Sequence, residues 1–224
     1  MENNSTIFDI LPMNDSTWLY TFKTDNMLDY KPCQTIKLNN KYELTPISPP
    51  NQSGSFQILS ISKLDGLNIG DNVKYTLSTR KYQMPFTTQK INILVSTVGI
   101  FNVYQMLYYV CKQTDVKYEI TVLYSSKKDR KIIMKDELDR IVLNSFHNIK
   151  IVYYNNNIHS SDVLQRDITQ LSISTHCFPP GDDVLTIVSG DSTFYSYICG
   201  DRLDPTVTKI LGKLGYDEDN VYKF

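Results

Sequence analysis

The chain has 224 residues, with 23 Lys and Arg against 24 Asp and Glu, and a formal net charge of -1 at pH 7. That length supports one large or two modest domains with a real core, and the balanced charge excludes the electrostatic footprint of a nucleic-acid or anionic-membrane binder. The opening MENNSTIFDILPMNDS lacks a basic stretch followed by a long apolar run, and no later run approaches the ~20 apolar residues of a membrane span, so cytoplasm or nucleus is the expected address.

From the start to about residue 88 the chain reads as short strands. IFDILPM, WLYTFKT, QTIKL, GSFQILSI and NVKYTLS alternate or carry β-branched and aromatic residues, with Asn-Asn, Pro-Pro and Ser-Gly breaks between them. These predict a small antiparallel sheet or barrel over 1–88. A polar linker near Thr87–Lys90 separates it from a second domain, 89–224, in which strands and helices alternate.

Ile91–Val95 is a compact apolar run suited to a parallel strand buried on both faces. Over Gly99–Lys112, Ile100, Val103, Tyr104, Leu107, Tyr108 and Cys111 recur at three-and-four spacing and define one helical face. Tyr118–Tyr124 is a second strand, and Ser126 or Asp129 is the expected cap of a helix carrying Ile133, Leu138, Ile141 and Val142. Ile149–Tyr154 and Asp183–Ser189 are the third and fourth strands. A helical segment follows, broken near Asp204-Pro205 and resumed as TVTKILGKLGY. The alternation implies βαβ units and a parallel sheet covered by helices.

Chemistry-bearing residues are sparse. Cys33, Cys111, Cys177 and Cys199 form no CxxC pair and read as free thiols in a packed interior. His147, His159 and His176 show no HxxxH or HExxH spacing, so no metal site is expected and the three read as surface or structural residues. The basic run Lys127-Lys128-Asp129-Arg130-Lys131 reads as the solvated start of a helix, with a partner contact as the alternative.

Collinear blocks carry a resemblance. TPIS (45–48), GSFQILSI (54–61), LDGLNIGDNVKYTL (64–77), NILVSTVGIFNVYQML (92–107), LYSSKKDRKIIMKDELDRI (123–141), HCFPPGDDVLTIVSGDSTF (176–194) and LGKLGYDEDNVYKF (211–224) follow one another in an order that resembles the NADH-cytochrome b5 reductases of the ferredoxin-NADP reductase superfamily. The likeness implies a six-stranded FAD barrel followed by a parallel α/β pyridine-nucleotide domain.

The same resemblance locates the cofactor motifs, and most of them are altered. Where the family has R-x-Y-[ST]-P, this chain has Tyr42-Glu43-Leu44-Thr45-Pro46, so the Arg that meets the FAD diphosphate is gone and Lys41 is the adjacent cation. The family's G-x-x-S phosphate turn is replaced by a direct connection, Lys63-Leu64-Asp65-Gly66-Leu67. Its G-P-x-G run corresponds to Ser78-Thr79-Arg80-Lys81, which keeps neither glycine nor proline and reads as a solvated basic turn, with Arg80 and Lys81 as candidate phosphate contacts. The family's G-G-T-G nucleotide turn becomes Ser96-Thr97-Val98-Gly99, and its C-G-P-P loop becomes Ser189-Gly190-Asp191-Ser192. Cys199-Gly200 falls too far beyond the strand to be that loop.

The expectation is therefore a diverged pseudoenzyme: no catalytic residue, no resident cofactor, and a protein partner. Lys41, Thr45, Pro46, Arg80, Ser96, Thr97, Gly99, Ser189 and Gly190 remain as vestigial or weak cofactor contacts. The alternative is a working flavin-dependent NAD(P)H reductase that holds FAD and NAD(P)H through those unfamiliar residues. A third reading places another small nucleotide at the helix N-terminus near Gly99.

Overall fold

The computed structural model describes residues 2–13, 17–28, 30–32, 34–49, 52–78, 86–126, 132–155, 163–164 and 167–224. By contacts the chain divides into two compact units. One comprises Met1–Met84 with Tyr104–Tyr109, the other Pro85–Val103 with Val110–Phe224.

In the first unit β1 (Asn3–Pro12), β2 (Trp18–Leu28), β3 (Ile36–Leu38), β4 (Tyr42–Leu44), β5 (Gln52–Ser60) and β6 (Asn72–Leu77) form an antiparallel sheet in the order β4-β3-β6-β1-β2-β5. Its edges meet where Pro46 bridges Ile58 and the Ile47 N–H donates to the Gln57 carbonyl at 2.9 Å. The sheet therefore curls on itself and its edges are paired rather than bare. Alternate residues point inward, placing Tyr20 and Phe22 of β2, Ile36 and Leu38 of β3, Phe56 and Ile58 of β5, and Val73 and Tyr75 of β6 in one core. Phe22 stacks on Phe56 with centroids 4.8 Å apart, and Tyr75 meets Phe56 edge-on at 5.3 Å.

The second unit is built on β7 (Lys90–Ser96), β8 (Glu119–Ser125), β9 (Asn148–Tyr154), β10 (Val163–Leu164), β11 (Val184–Ser189) and β12 (Val221–Lys223). They lie parallel in the order β10-β9-β8-β7-β11-β12. A 3-10 turn, Thr97–Gly99, leads from β7 into α1 (Ile100–Val110). The other helices are α2 (Lys135–Leu143), α3 (Gln170–His176), α4 (Ser192–Ile198) and α5 (Lys209–Lys213). Leu94, Leu123 and Val188 of the sheet share a core with Ile173 of α3, Phe194, Tyr195 and Ile198 of α4, and Leu211 of α5.

One expectation needs correction. The helix after β8 starts at Lys135, where Met134 stands at the N-cap in left-handed geometry with no side-chain cap, so Ser126 does not cap it. Asp129 lies outside the described residues, as do Lys127, Lys128, Arg130, Lys131, Cys33 and His159. His147 is a buried structural residue: its Nδ1 accepts from the Tyr118 N–H at 3.2 Å, and its Nε2 lies 2.8 Å from the Val110 carbonyl.

Candidate functional site

In the parallel sheet the strand order reverses between β7 and β11, and in sheets of this type ligands sit beyond the carboxyl ends of the strands at that reversal. Ser96 ends β7 and Ser189 ends β11. Four expected residues, Ser96, Gly99, Ser189 and Gly190, come together here.

Both glycines are required by protein packing. A Cβ on Gly99 would stand 2.1 Å from the Ser189 carbonyl oxygen, and one on Gly190 would stand 2.5 Å from Ser96 Oγ. Only a bare Cα lets the turn into α1 approach the end of β11 this closely. The Ser189 hydroxyl adds to the joint by donating to the Gly99 carbonyl at 3.1 Å. Thr97, one of the residues in place of family glycines, has φ +30°, a left-handed value that is strained for a β-branched residue. Asp191, expected as a charge beside a ligand, accepts from the Phe194 N–H at 2.8 Å and caps α4.

Ser96, Ser125 and Tyr154 stand directly opposite one another across β7, β8 and β9, in the same row of the pleat. Ser96, Ser125 and the following Ser126 retain only 3%, 1% and 0% of their exposure, and their hydroxyls have no hydrogen-bond partner. An orphaned buried hydroxyl costs about 1–3 kcal/mol, so three on one edge are expensive for the fold. Ser96 occupies the N-cap of the 3-10 turn yet makes no side-chain cap bond. Asn92 in this sheet is satisfied: it donates to the Phe178 carbonyl at 2.9 Å and accepts from the Phe178 N–H at 2.9 Å. Ser125 and Ser126 were missed at the level of sequence. The only signal was a serine doublet at the end of a predicted strand. Ser96 borders the strand-order reversal, and Ser125 and Ser126 lie one strand away, at and just beyond the end of β8.

In the barrel unit, the residues expected around a flavin are engaged with the protein itself. Tyr42, in the place of the family's Arg, donates its hydroxyl to the Asp65 carbonyl at 3.1 Å. The Lys41 ammonium lies 4.7 Å from the centroid of the Tyr42 ring, and its interaction with Tyr42 raises its pKa. Thr35 donates to Glu43 Oε1 at 2.6 Å. Leu44, in the place of the family's Tyr, packs against the barrel core.

The shortened loop turns inward. Leu64 and Leu67 are buried in the same core, and the Leu64 N–H donates to the Tyr20 hydroxyl at 2.7 Å. Thr45 and Pro46 are buried, and the Pro46 carbonyl accepts from Gln105 Nε2 at 3.4 Å within this unit. Tyr30 donates to the Ser48 carbonyl, and burial raises its pKa. Arg80 and Lys81 lie outside the described residues. The described residues do not fit an FAD diphosphate: the guanidinium is missing, Glu43 adds a carboxylate, and the loop that would supply main-chain amides fills the barrel with leucine. Among the described residues no group of His, Cys, Asp and Glu is arranged to hold a metal.

Comparison with known proteins agrees with the observed fold. A family model described as "Oxidoreductase NAD-binding domain" matches residues 96–203, beginning at the serine that ends β7. The chain is 28% identical over 206 residues to NADH-cytochrome b5 reductase 2 of Meyerozyma guilliermondii, covering 85% of this chain and 70% of that protein. It is 24% identical over 237 residues to the Yarrowia lipolytica protein of the same name, covering 99% and 81%. Among solved structures, the cytochrome b5 reductase domain of Ulva prolifera nitrate reductase matches 100% of this chain and 97% of its own, with TM-score 0.80 and 14% identity. The flavohem-like FAD/NAD-binding domain of a Vibrio cholerae nitric oxide dioxygenase matches 98% and 96%, with TM-score 0.74 and 15% identity.

Proposed function

We propose that this chain, which belongs to the superfamily of NADH-cytochrome b5 reductases and ferredoxin-NADP reductases, has given up flavin-dependent hydride transfer and acts as a non-catalytic protein that binds another macromolecule. One observation carries the reading. Tyr42, which the sequence resemblance puts in the place of the diphosphate-anchoring Arg, is tied to Asp65 of a loop whose leucines are buried in the barrel core. Each lost charge-assisted contact removes about 1.5–3 kcal/mol of binding, so losing the Arg and the main-chain cradle together weakens FAD by at least a hundredfold.

A second reading, a reductase that holds FAD through Lys41, Thr45 and Arg80, is favoured by the names of the relatives and by the orphaned hydroxyls of the α/β unit. Titrating FAD into the purified protein and following flavin fluorescence separates the two. The non-catalytic reading expects no saturable quenching up to about 100 μM, well above the range in which a resident cofactor binds. Saturation in the low micromolar range would restore the reductase. No helix among the described residues is long and apolar enough to cross a membrane, and a cytoplasmic or nuclear location belongs to this proposal.

A further inference from the structure

We infer that a cleft at the amino ends of β7, β8 and β9 binds a guanine base, with Phe146 as the stacking face, Glu119 accepting from the base's N1–H and 2-amino group, and Lys117 donating to its O6 and N7. The cleft lies at the opposite end of the strands from Ser96 and Ser189 and belongs to the α/β unit alone, so it is independent of whether the barrel holds FAD.

Glu119 begins β8, Asn148 begins β9, and the two are register partners. Exposure alternates along both segments: Lys117 and Glu119 are exposed on either side of buried Tyr118, and Phe146 and Asn148 on either side of buried His147. The register therefore sets Lys117 beside Phe146, and its ammonium lies 5.8 Å from the centroid of that ring. Gln89, just ahead of β7, joins them from the other side, its carbonyl accepting from the Glu119 N–H at 2.9 Å. These five residues and His147 line a cleft of about 590 Å³, within the size range of small-molecule sites.

Phe146 is 57% exposed yet supported from behind. It meets His147 edge-on at 5.7 Å, and His147 meets Tyr118 at 5.3 Å and is held at both ring nitrogens. A fixed aromatic face open to solvent is a platform for a planar ring. Among the described residues, the side chains of Gln89, Glu119 and Asn148 make no hydrogen bond to the protein, which leaves their donors and acceptors for a ligand.

The polarity of the lining selects the base. A carboxylate and an ammonium two residues apart, at most ~7 Å of extended chain, match a ring that carries donors on one edge and acceptors on the next. Guanine has that order, N1–H and the 2-amino group beside O6 and N7. Adenine would turn an unprotonated N1 towards the Glu119 carboxylate, and a cationic ligand would meet Lys117. The carboxamides of Gln89 and Asn148 can donate or accept at the remaining edge. A free nucleotide is the expected source of the base, because a formal net charge of -1 gives no footprint for a polyanion.

The test titrates GMP, AMP and the pentanucleotide UUGUU separately into the full chain by calorimetry, and repeats GMP with Glu119→Gln and Phe146→Ala after thermal melts confirm that each is folded. GMP is expected to bind saturably below about 1 mM and AMP at least tenfold more weakly, since adenine cannot supply the donors that Glu119 accepts. Each variant should weaken GMP by about tenfold, Glu119→Gln through the lost carboxylate and Phe146→Ala through the lost stacking. Glu119 is exposed at a strand end, so its variant keeps the test open if Phe146→Ala does not fold. The inference is overturned if GMP does not bind at about 1 mM, if AMP binds as tightly, or if either folded variant binds GMP as the parent does. Tighter binding of UUGUU than of GMP would overturn the free nucleotide as the ligand.

Discussion

Gly99 separates a packing role from a ligand role. Replacing it with Ala puts a Cβ 2.1 Å from the Ser189 carbonyl oxygen, 2.3 Å from the Ser189 carbonyl carbon and 2.7 Å from the Gly190 nitrogen. All three are main-chain atoms at the end of β11, a strand hydrogen-bonded to β7 on one side and β12 on the other. No rotamer change relieves the clash, so the turn must move by more than ~1 Å or the strand end must detach. Overpacking costs about 1–3 kcal/mol where side chains yield, and an immovable backbone puts Gly99→Ala at or above the top of that range.

With roughly 2–4 °C per kcal/mol for a chain of this size, melting of the α/β unit followed by circular dichroism should fall by about 6–12 °C. Gly190→Ala is the internal control. Its Cβ would meet side chains rather than backbone, Ser96 Oγ at 2.5 Å and Phe194 Cδ1 at 2.7 Å; the Ser96 hydroxyl can turn away, whereas the Phe194 ring is held in the core of the α/β unit. A loss of about 1–2 kcal/mol, smaller than for Gly99→Ala, is expected, partly recovered when Ser96→Ala is added. If Gly99→Ala melts within 2 °C of the parent, the close approach of the turn to β11 is wrong, and with it the packing account of both glycines.

Three further outcomes are expected. His147→Ala removes the acceptor of the buried Tyr118 N–H and one of the two partners of the Val110 carbonyl, which also accepts from the Gln113 N–H, and should cost about 1–3 kcal/mol in urea denaturation, whereas an unchanged midpoint would mean the imidazole is not the link between them. Burial pushes the Cys177 thiol and the Tyr195 hydroxyl up to about 12 and the Cys199 thiol up to about 11, so the folded state keeps protons that the unfolded chain loses from pH ~9–10 upward. Stability should therefore decline as pH rises from about 9 towards 11, and a flat profile over that range would contradict the burial of these groups. Leu64→Ala opens the plugged barrel and should cost about 2–4 kcal/mol by thermal melting without conferring flavin binding; gain of FAD on this change alone would show that the leucine was all that kept it out.

The elements with a strong physical pattern were legible in the sequence. The apolar run Ile91–Val95 is the heart of β7, buried because strands pair with it on both sides and residues pack on both faces. The three-and-four spacing from Ile100 onward is α1. Shorter pieces were not legible. β4 has three residues, too few for alternation to register, and α2 begins after a left-handed Met134 that supplies none of the usual capping chemistry. At the site, the motif positions were readable but their uses were not, because each depends on an atom distant in the chain. Gly99 matters through Ser189, ninety residues on. Ser125 becomes notable only when β8 lies beside β7 and its hydroxyl is found without a partner. Tyr42 could be seen as a lost Arg, but not as the residue that fastens the Asp65 loop.

We propose that a fold like that of the cytochrome b5 reductase domain persists here without flavin chemistry. It is tested most directly by incubating the purified protein with excess FAD, removing the unbound flavin, adding NADH without oxygen and recording the visible spectrum. The account expects a colourless protein that carries no flavin through the separation and shows no reduction. A yellow protein whose flavin band bleaches on addition of NADH would contradict it.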